Sequence, residues 1–234
     1  MTAPWLIAMD WRRALFLHWP VAAEPLRALI PRDLELDVLE GSAWIGIVAF
    51  EMAGTRARGV PPRFALRTFG EVNVRTYVTG GATPGIWFLS LDAANRAVVE
   101  AGRRGLHVPY LHARIASAWD DDGSCAYRVE RTDARAPAAR FDAGARFATG
   151  ARIAAGGSLE HRLIERYSFY TANGRGRILR CDVRHPPWPL HDATVTIAEN
   201  TLLAAAGVVP DAQVPPLVHA SAGVATRALR PVGP

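Results

Sequence analysis

The sequence predicts an α+β fold that is mainly β, an antiparallel sheet closed or strongly curled into a cone-like barrel with a few peripheral helices. Three observations lead there. The stretch E-V-N-V-R-T-Y-V, Glu71 to Val78, alternates strictly, with Glu71, Asn73, Arg75 and Tyr77 on one face and Val72, Val74, Thr76 and Val78 on the other, the period of a strand with two different faces. Strand-like stretches recur along the chain, joined by short Gly- and Asp-rich turns. Helical signals are few and short, so the helices lie outside a dominant sheet.

In chain order, Trp11 to Trp19 is aromatic and apolar, and Ser42 to Met52 is apolar on both faces, as in a buried central strand. Glu71 to Val78 is followed through the turn region Thr79–Pro84 by a strand at Gly85–Leu91. His112–Trp119 and Cys125–Arg131 flank D-D-D-G, Asp120 to Gly123, a hairpin loop. A second hairpin joins Tyr167–Thr171 to Arg177–Arg184 around A-N-G-R-G. The helical stretches are Pro25–Leu29, stopped by Pro31, and Ala93–Arg103, capped by Asp92 and ended by Gly105. Ser158 with His161 and Glu165 starts a third, and Glu199–Ala206 before Gly207 is a fourth. Ala134–Arg140 reads as a surface connection, and the tail from about 227 to 234 as loose.

At 234 residues, without a repeat or an interdomain linker, the chain reads as a single domain, 1–234, able to bury a large core. Hydrophobic residues at 50% and charged residues at 21% are values of an ordinary globular protein. No apolar run reaches the roughly 20 residues that span a bilayer, and M-T-A-P-W-L-I-A-M-D-W-R-R carries its charge after the apolar stretch, the reverse of a secretory signal. Two cysteines form neither a disulfide framework nor a zinc pattern. The expectations are a cytoplasmic location, no membrane, no metal and no cofactor, with a homo-oligomer left open. Net charge is +5 and all 27 basic residues are Arg. Lysine is absent, so no side chain can form a Schiff base. The arginines are scattered without an aromatic platform, which excludes a nucleic-acid surface and favours a small anionic metabolite as partner.

Chemistry concentrates on the polar face of Glu71–Val78. Same-face neighbours on a strand lie about 7 Å apart, so Asn73 and Arg75 can grip one ligand, Arg75 as a planar fork for a carboxylate. The same face of an open strand would merely meet water. Glu165-Arg166-Tyr167 offers Arg166 as a second anion clamp, or as a cation suited to a helix C-terminus. H-P-P-W-P-L-H-D presents His185 as a candidate general acid/base on a rigid rim, and F-L-H-W-P presents His18 in the same way. Both also read as hydrogen-bonded structural residues. His161 and Glu165 are a two-ligand seed without a third ligand, and H-A-S-A-G around Ser221 is half a nucleophile elbow.

L-F-L-H-W-P-V (Leu15–Val21), L-R-A-L-I-P-R-D-L-E-L-D (Leu26–Asp37), G-S-A-W-I-G-I-V-A-F (Gly41–Phe50), E-V-N-V-R-T-Y-V, W-F-L-S-L-D-A (Trp87–Ala93), E-R-Y (Glu165–Tyr167) and H-P-P-W-P-L (His185–Leu190) together resemble the YqjF-like family of uncharacterised bacterial proteins. That family looks like a branch of the acetoacetate decarboxylase superfamily, by an Arg-bearing first strand (Arg12, Arg13), a short helix and the order of strands that follow. The resemblance implies an antiparallel, cone-like barrel around a small-molecule cavity. It also implies a departure. The decarboxylase works through a lysine amine, whereas the corresponding region, Asp92 to Arg96, offers Asp, Ala, Asn and Arg, and an arginine stays protonated. Two readings follow: a barrel that binds a small keto or carboxylic acid and acts on it by lysine-free chemistry as a lyase or isomerase, with His185, His18 or Glu71 moving protons, or a non-catalytic metabolite-binding or sensing protein.

Overall fold

A computed structural model describes residues 5–233. All twelve strands belong to one sheet. Its centre is β1 (Trp5–Val21), β3 (Ala43–Ala57) and β4 (Phe69–Gly80), flanked by β5 (Thr83–Ala93) and β12 (Leu217–Leu229), with the two-residue β2 (Glu35–Leu36) on β4. Two sets of strands reconnect β5 to β12. One runs through β6 (Tyr110–Asp120), β7 (Ser124–Arg131), β8 (Arg140–Phe147) and β11 (His191–Asn200), and closes a ring of nine strands. The other runs through β9 (Ser168–Ala172) and β10 (Ile178–Arg184), and closes a ring of seven. The central strands are therefore a wall common to two rings.

Side-chain alternation on this wall feeds two separate interiors. Leu15, Leu17, Ile45, Ile47, Val72 and Val74 pack with Tyr127, Val129 and Phe141 in the larger ring. Phe16, Val48, Phe50, Met52 and Tyr77 point the other way, toward Ile164, Val183 and Trp188. This explains the two-sided apolar run of Ser42–Met52: β3 has no solvent face, and a strand covered on both sides needs no polar positions.

The chain is mainly β with short helices, as expected, but not wholly antiparallel. β5 pairs in parallel with β6 through Leu91–Ala93 and with β9 through Ile86–Trp87. Four strands, the two-residue β2 and β8, β11 and β12, are absent from the sequence reading. Inward positions of β8 and β12 include Ala143, Ala145 and Ala220, and alanine carries little strand signal. β11 also claims Glu199 and Asn200, leaving α4 only Leu202–Ala205. The helix after β5, α2, is Arg96–Gly105, and its cap is Asn95, whose Oδ1 accepts from the amides of Ala97 at 3.0 Å and Val98 at 3.2 Å. Asp92 does not cap it, because β5 continues to Ala93 and the Asp92 carboxylate is taken by Arg131. α1 (Ala23–Arg27) and α3 (Leu159–Ile164) fall near their expected places, and the Ser158 hydroxyl accepts from the His161 amide. The C-terminal segment is held rather than loose: β12 runs to Leu229, and Val232 exchanges two 2.9 Å backbone bonds with Arg180. Pro234 and residues 1–4 lie outside the described residues. No described helix is long and apolar enough to cross a membrane.

Candidate functional site

The polar row of β4 faces neither water nor a packed core. Glu71, Asn73 and Arg75 line a cavity of about 570 Å³ on the seven-stranded side of the wall, and all three are buried. Their register partners on β3 are Phe50, Val48 and Gly46. Most of the remaining lining is apolar, from Met9, Trp11 and Phe16 of β1, Phe88 of β5, and Val98 and Leu106 near α2. Val72 and Val74, on the opposite face, are fully buried in the apolar core of the larger ring, so one strand presents opposite chemistry to two compartments.

Arg75 has no carboxylate partner among the described residues. Its Nε donates to the Tyr77 hydroxyl at 3.4 Å and its Nη2 to the Leu163 carbonyl at 3.3 Å, both long contacts. Beside it, the Asn73 Oδ1 is buried without a hydrogen-bond partner. An unpaired buried cation next to an unsatisfied amide oxygen is costly in a folded protein, and a ligand carboxylate with a neighbouring donor would answer both groups.

Arg166 also lines the cavity but is already neutralised, its Nη2 lying 2.6 Å from Asp37 Oδ2 and its Nε donating to the Arg162 carbonyl. Tyr77 is wedged between the two guanidiniums, with the Arg166 Cζ 5.0 Å and the Arg75 Cζ 5.7 Å from its ring centre. It stands behind the lining rather than in it. His18 is further back, fully buried, its ring 6.0 Å from Tyr77. A Cβ on Gly46 would come within 2.9 Å of His18 and 3.1 Å of the Tyr77 hydroxyl, so glycine there is what lets these rings pass. Burial, then the charge of Arg75, hold the His18 pKa well below the usual imidazole range. His18 is a neutral ring that does not line the cavity, on the same rung as Arg75 with Gly46 of β3 between them.

Glu71 is the proton-carrying group of the row. Its Oε2 accepts from the Tyr110 hydroxyl at 2.8 Å. Burial pushes its pKa up to about 8, the Tyr110 bond opposes this, and the nearby Asp92 charge adds to it. The carboxyl therefore stays largely protonated at neutral pH. The unfolded chain releases this proton near pH 4.5, whereas the folded chain keeps it to about pH 8, so the unfolded state gains by ionising as pH rises between these values. Stability contributed by this group is complete below pH 4.5 and is lost toward pH 8. Glu71→Gln is expected to flatten that decline, measured as urea unfolding midpoints at pH 5 and pH 8. An unchanged slope would show that Glu71 ionises normally.

His185 lines the cavity from the Pro-rich loop after β10. Its ring stacks on Tyr167 at 4.5 Å and meets Trp11 and Trp188 at 5.7 and 5.6 Å. The Pro186 carbonyl, 2.8 Å from Nδ1, can only accept, so Nδ1 carries the hydrogen and Nε2, which has no protein partner, keeps its lone pair. Burial lowers its pKa, and a neutral imidazole with a free Nε2 is the form that removes a proton. Glu165 fastens this loop, accepting from the Trp188 amide and the Tyr167 hydroxyl, both at 2.7 Å. Among the described residues no group of three or more His, Cys, Asp or Glu is gathered as metal ligands are. Arg12 and Arg13 are exposed, paired with Asp10 and Glu51, away from the cavity.

Tyr110, the partner of Glu71, escapes sequence reasoning, because its contact crosses 39 residues and nothing in H-V-P-Y marks it. Trp11, stacked parallel on Trp188 at 5.9 Å, escapes similarly. Only the abundance of aromatics in Trp11–Trp19 hints at it.

Residues 8–225 match a family of uncharacterized conserved proteins, DUF2071. The uncharacterized protein YqjF of Bacillus subtilis is 38% identical over 216 residues, 92% of this chain and 87% of its own. Among solved structures, acetoacetate decarboxylase of Legionella pneumophila superposes with a TM-score of 0.66 at 13% identity, over 100% of this chain and 90% of its own. The enduracididine biosynthesis enzyme MppR complexed with pyruvate superposes with a TM-score of 0.66 at 10% identity, over 99% and 91%. At these identities the two structures share the fold with this chain.

Proposed function

The chain belongs to the DUF2071 family, and on that footing we propose that its cavity binds a keto or carboxylic acid by the carboxylate, with Arg75 as the anion clamp. The observation that carries this is the unpaired Arg75 guanidinium, buried at the edge of a 570 Å³ cavity beside an unsatisfied Asn73 oxygen. Pyruvate in a fold neighbour is in keeping with it.

The same cavity is lined by a proton donor, Glu71, and a proton acceptor, His185. With the carboxylate held by Arg75, His185 Nε2 takes a proton from the carbon next to the ligand carbonyl. The C–H electrons form a carbon–carbon double bond, and the carbonyl oxygen takes the Glu71 proton. An enol, an imidazolium and a carboxylate result, and return of the protons at another position completes an isomerisation, while loss of a β-hydroxyl completes a dehydration. This is lysine-free chemistry, since no lysine exists in the chain. A non-catalytic metabolite binder would use the same clamp and return its ligand unchanged.

A thermal-shift screen with small keto, hydroxy and unsaturated acids tests the clamp. A ligand at 100 times its Kd adds about 2.7 kcal/mol, and the shift is expected to vanish in Arg75→Ala. Shifts that persist in the variant, or none in either protein, would refute it. NMR of the ligand that shifts the protein then separates enzyme from binder by turnover.

A further inference from the structure

We infer that the acid taken by this cavity carries a long apolar tail, with its carboxylate at Arg75 and its tail running along β3 to a mouth beside Phe64 and Leu66. This rests on Arg75 as the clamp and adds the class of ligand.

The cavity changes character along the β3–β4 ladder. The rungs are Gly46–Arg75, Val48–Asn73, Phe50–Glu71 and Met52–Phe69. Beyond them β3 continues to Thr55 and Ala57, and the Leu66 amide donates to the Thr55 carbonyl at 2.9 Å. Thr55, Ala57, Val60, Phe64 and Leu66 all line the same cavity. From Gly46 to Thr55 the strand contour is roughly 30 Å at about 3.3 Å per residue. Glu71, the one acid on this route, is held protonated against Tyr110, so the corridor past Asn73 carries no charge until Arg56 at the far end. Phe64 there is 65% exposed and Leu66 40%, large apolar side chains turned outward where they also line the cavity, which marks a binding feature rather than a packing one.

Size agrees with this. At about 30 Å³ per water-sized group, the cavity holds roughly 19 such groups, and a three-carbon acid would leave most of it vacant. Apolar walls of this extent take up hydrocarbon more favourably than water. The orientation follows from charge. Arg56 lines the mouth and the Arg63 guanidinium lies 4.7 Å over the Phe64 ring, neither with a salt bridge among the described residues, and they draw anions toward it. An anion left at the mouth would put its methyl end against Arg75 and leave that cation buried without a counter-charge. The head therefore goes in.

Isothermal titration of the full chain with straight-chain acids from butanoate to hexadecanoate, and with the alcohols of equal length, tests this. Affinity is expected to rise about fourfold for each added methylene, through dodecanoate or beyond. Acids should exceed their alcohols by about tenfold or more in the native protein, and by nothing in Arg75→Met. Ala101→Trp, at an exposed α2 position on the cavity lining, should end the gain at a shorter chain. If butanoate binds through Arg75 and length adds nothing, the tail is wrong and the clamp stands. If length helps acids and alcohols alike and Arg75→Met has no effect, both fall. If Arg56→Ala with Arg63→Ala abolishes binding while Arg75→Met keeps it, the orientation is overturned.

Discussion

Replacing Arg75 with methionine is expected to raise the melting temperature of the ligand-free protein while removing its affinity for carboxylic acids. Arg75 is 7% exposed and meets no carboxylate among the described residues, so folding strips it of water and returns two long hydrogen bonds. Replacing desolvated buried ionic groups by apolar side chains of similar volume ranges from neutral to a gain of about 1–4 kcal/mol, and each kcal/mol is about 2–4 °C for a chain of this size. Losing one partner of a buried, charge-assisted contact costs the bound state about 2–5 kcal/mol. Opposite signs in the two assays are the mark of a residue kept for a ligand at the expense of stability. Thermal melts with and without ligand supply both numbers. A lower melting temperature for the variant would mean that Arg75 holds the fold together and is not waiting for an anion.

Arg131 shows what the same residue does when it is partnered. It grips Asp92 with two bonds, 2.7 Å from Nε and 2.8 Å from Nη2, and reaches the Ser90 hydroxyl at 3.1 Å. Both side chains are nearly inaccessible, 2% and 0%. The pair ties β5 to β7 inside the sheet, immediately before α2 starts. Asp92→Ala leaves Arg131 as an uncompensated buried charge and is expected to cost about 3–5 kcal/mol, read as a fall in the urea midpoint. The double variant Asp92→Leu with Arg131→Met should recover most of that loss, because the desolvated charges leave together. Recovery that fails would assign the pair a role in positioning β5 and β7 beyond its charge balance. The two arginines are similarly buried, yet their loss is expected to act in opposite directions, and only the presence of a carboxylate separates them.

Much of this was readable beforehand. The alternation of Glu71–Val78 predicted which residues share a face, and the apolar run of Ser42–Met52 predicted a strand covered twice. Alternation cannot tell water from a cavity, however. That depends on strands β9 and β10 and on α3, which close over the row from far along the chain. Asp92 shows the complementary limit: a carboxylate just before a helical stretch is a sound cap by local rules, and the long-range partner Arg131 took it. Strands β8 and β12 were hard to read because alanine takes several of their inward positions, where a small side chain suits close packing and gives little periodic signal, whereas β11 does alternate, with Ala193, Val195 and Ile197 turned inward. The pairing of Glu71 with Tyr110, and with it the raised carboxyl pKa, needed three dimensions.

The wall common to both rings has a consequence for how such a protein can change over time. Residues 71, 73 and 75 line the cavity, while 72 and 74, interleaved with them, are buried in the apolar core behind. A slip of one residue would exchange the two sets and ruin both, so the row cannot drift. Substitutions on its hollow side, by contrast, leave the packing of Val72 and Val74 untouched. Heritable variation in specificity can therefore accumulate on one surface of a strand while the other keeps the chain foldable. A lineage can explore new ligands without renegotiating its architecture.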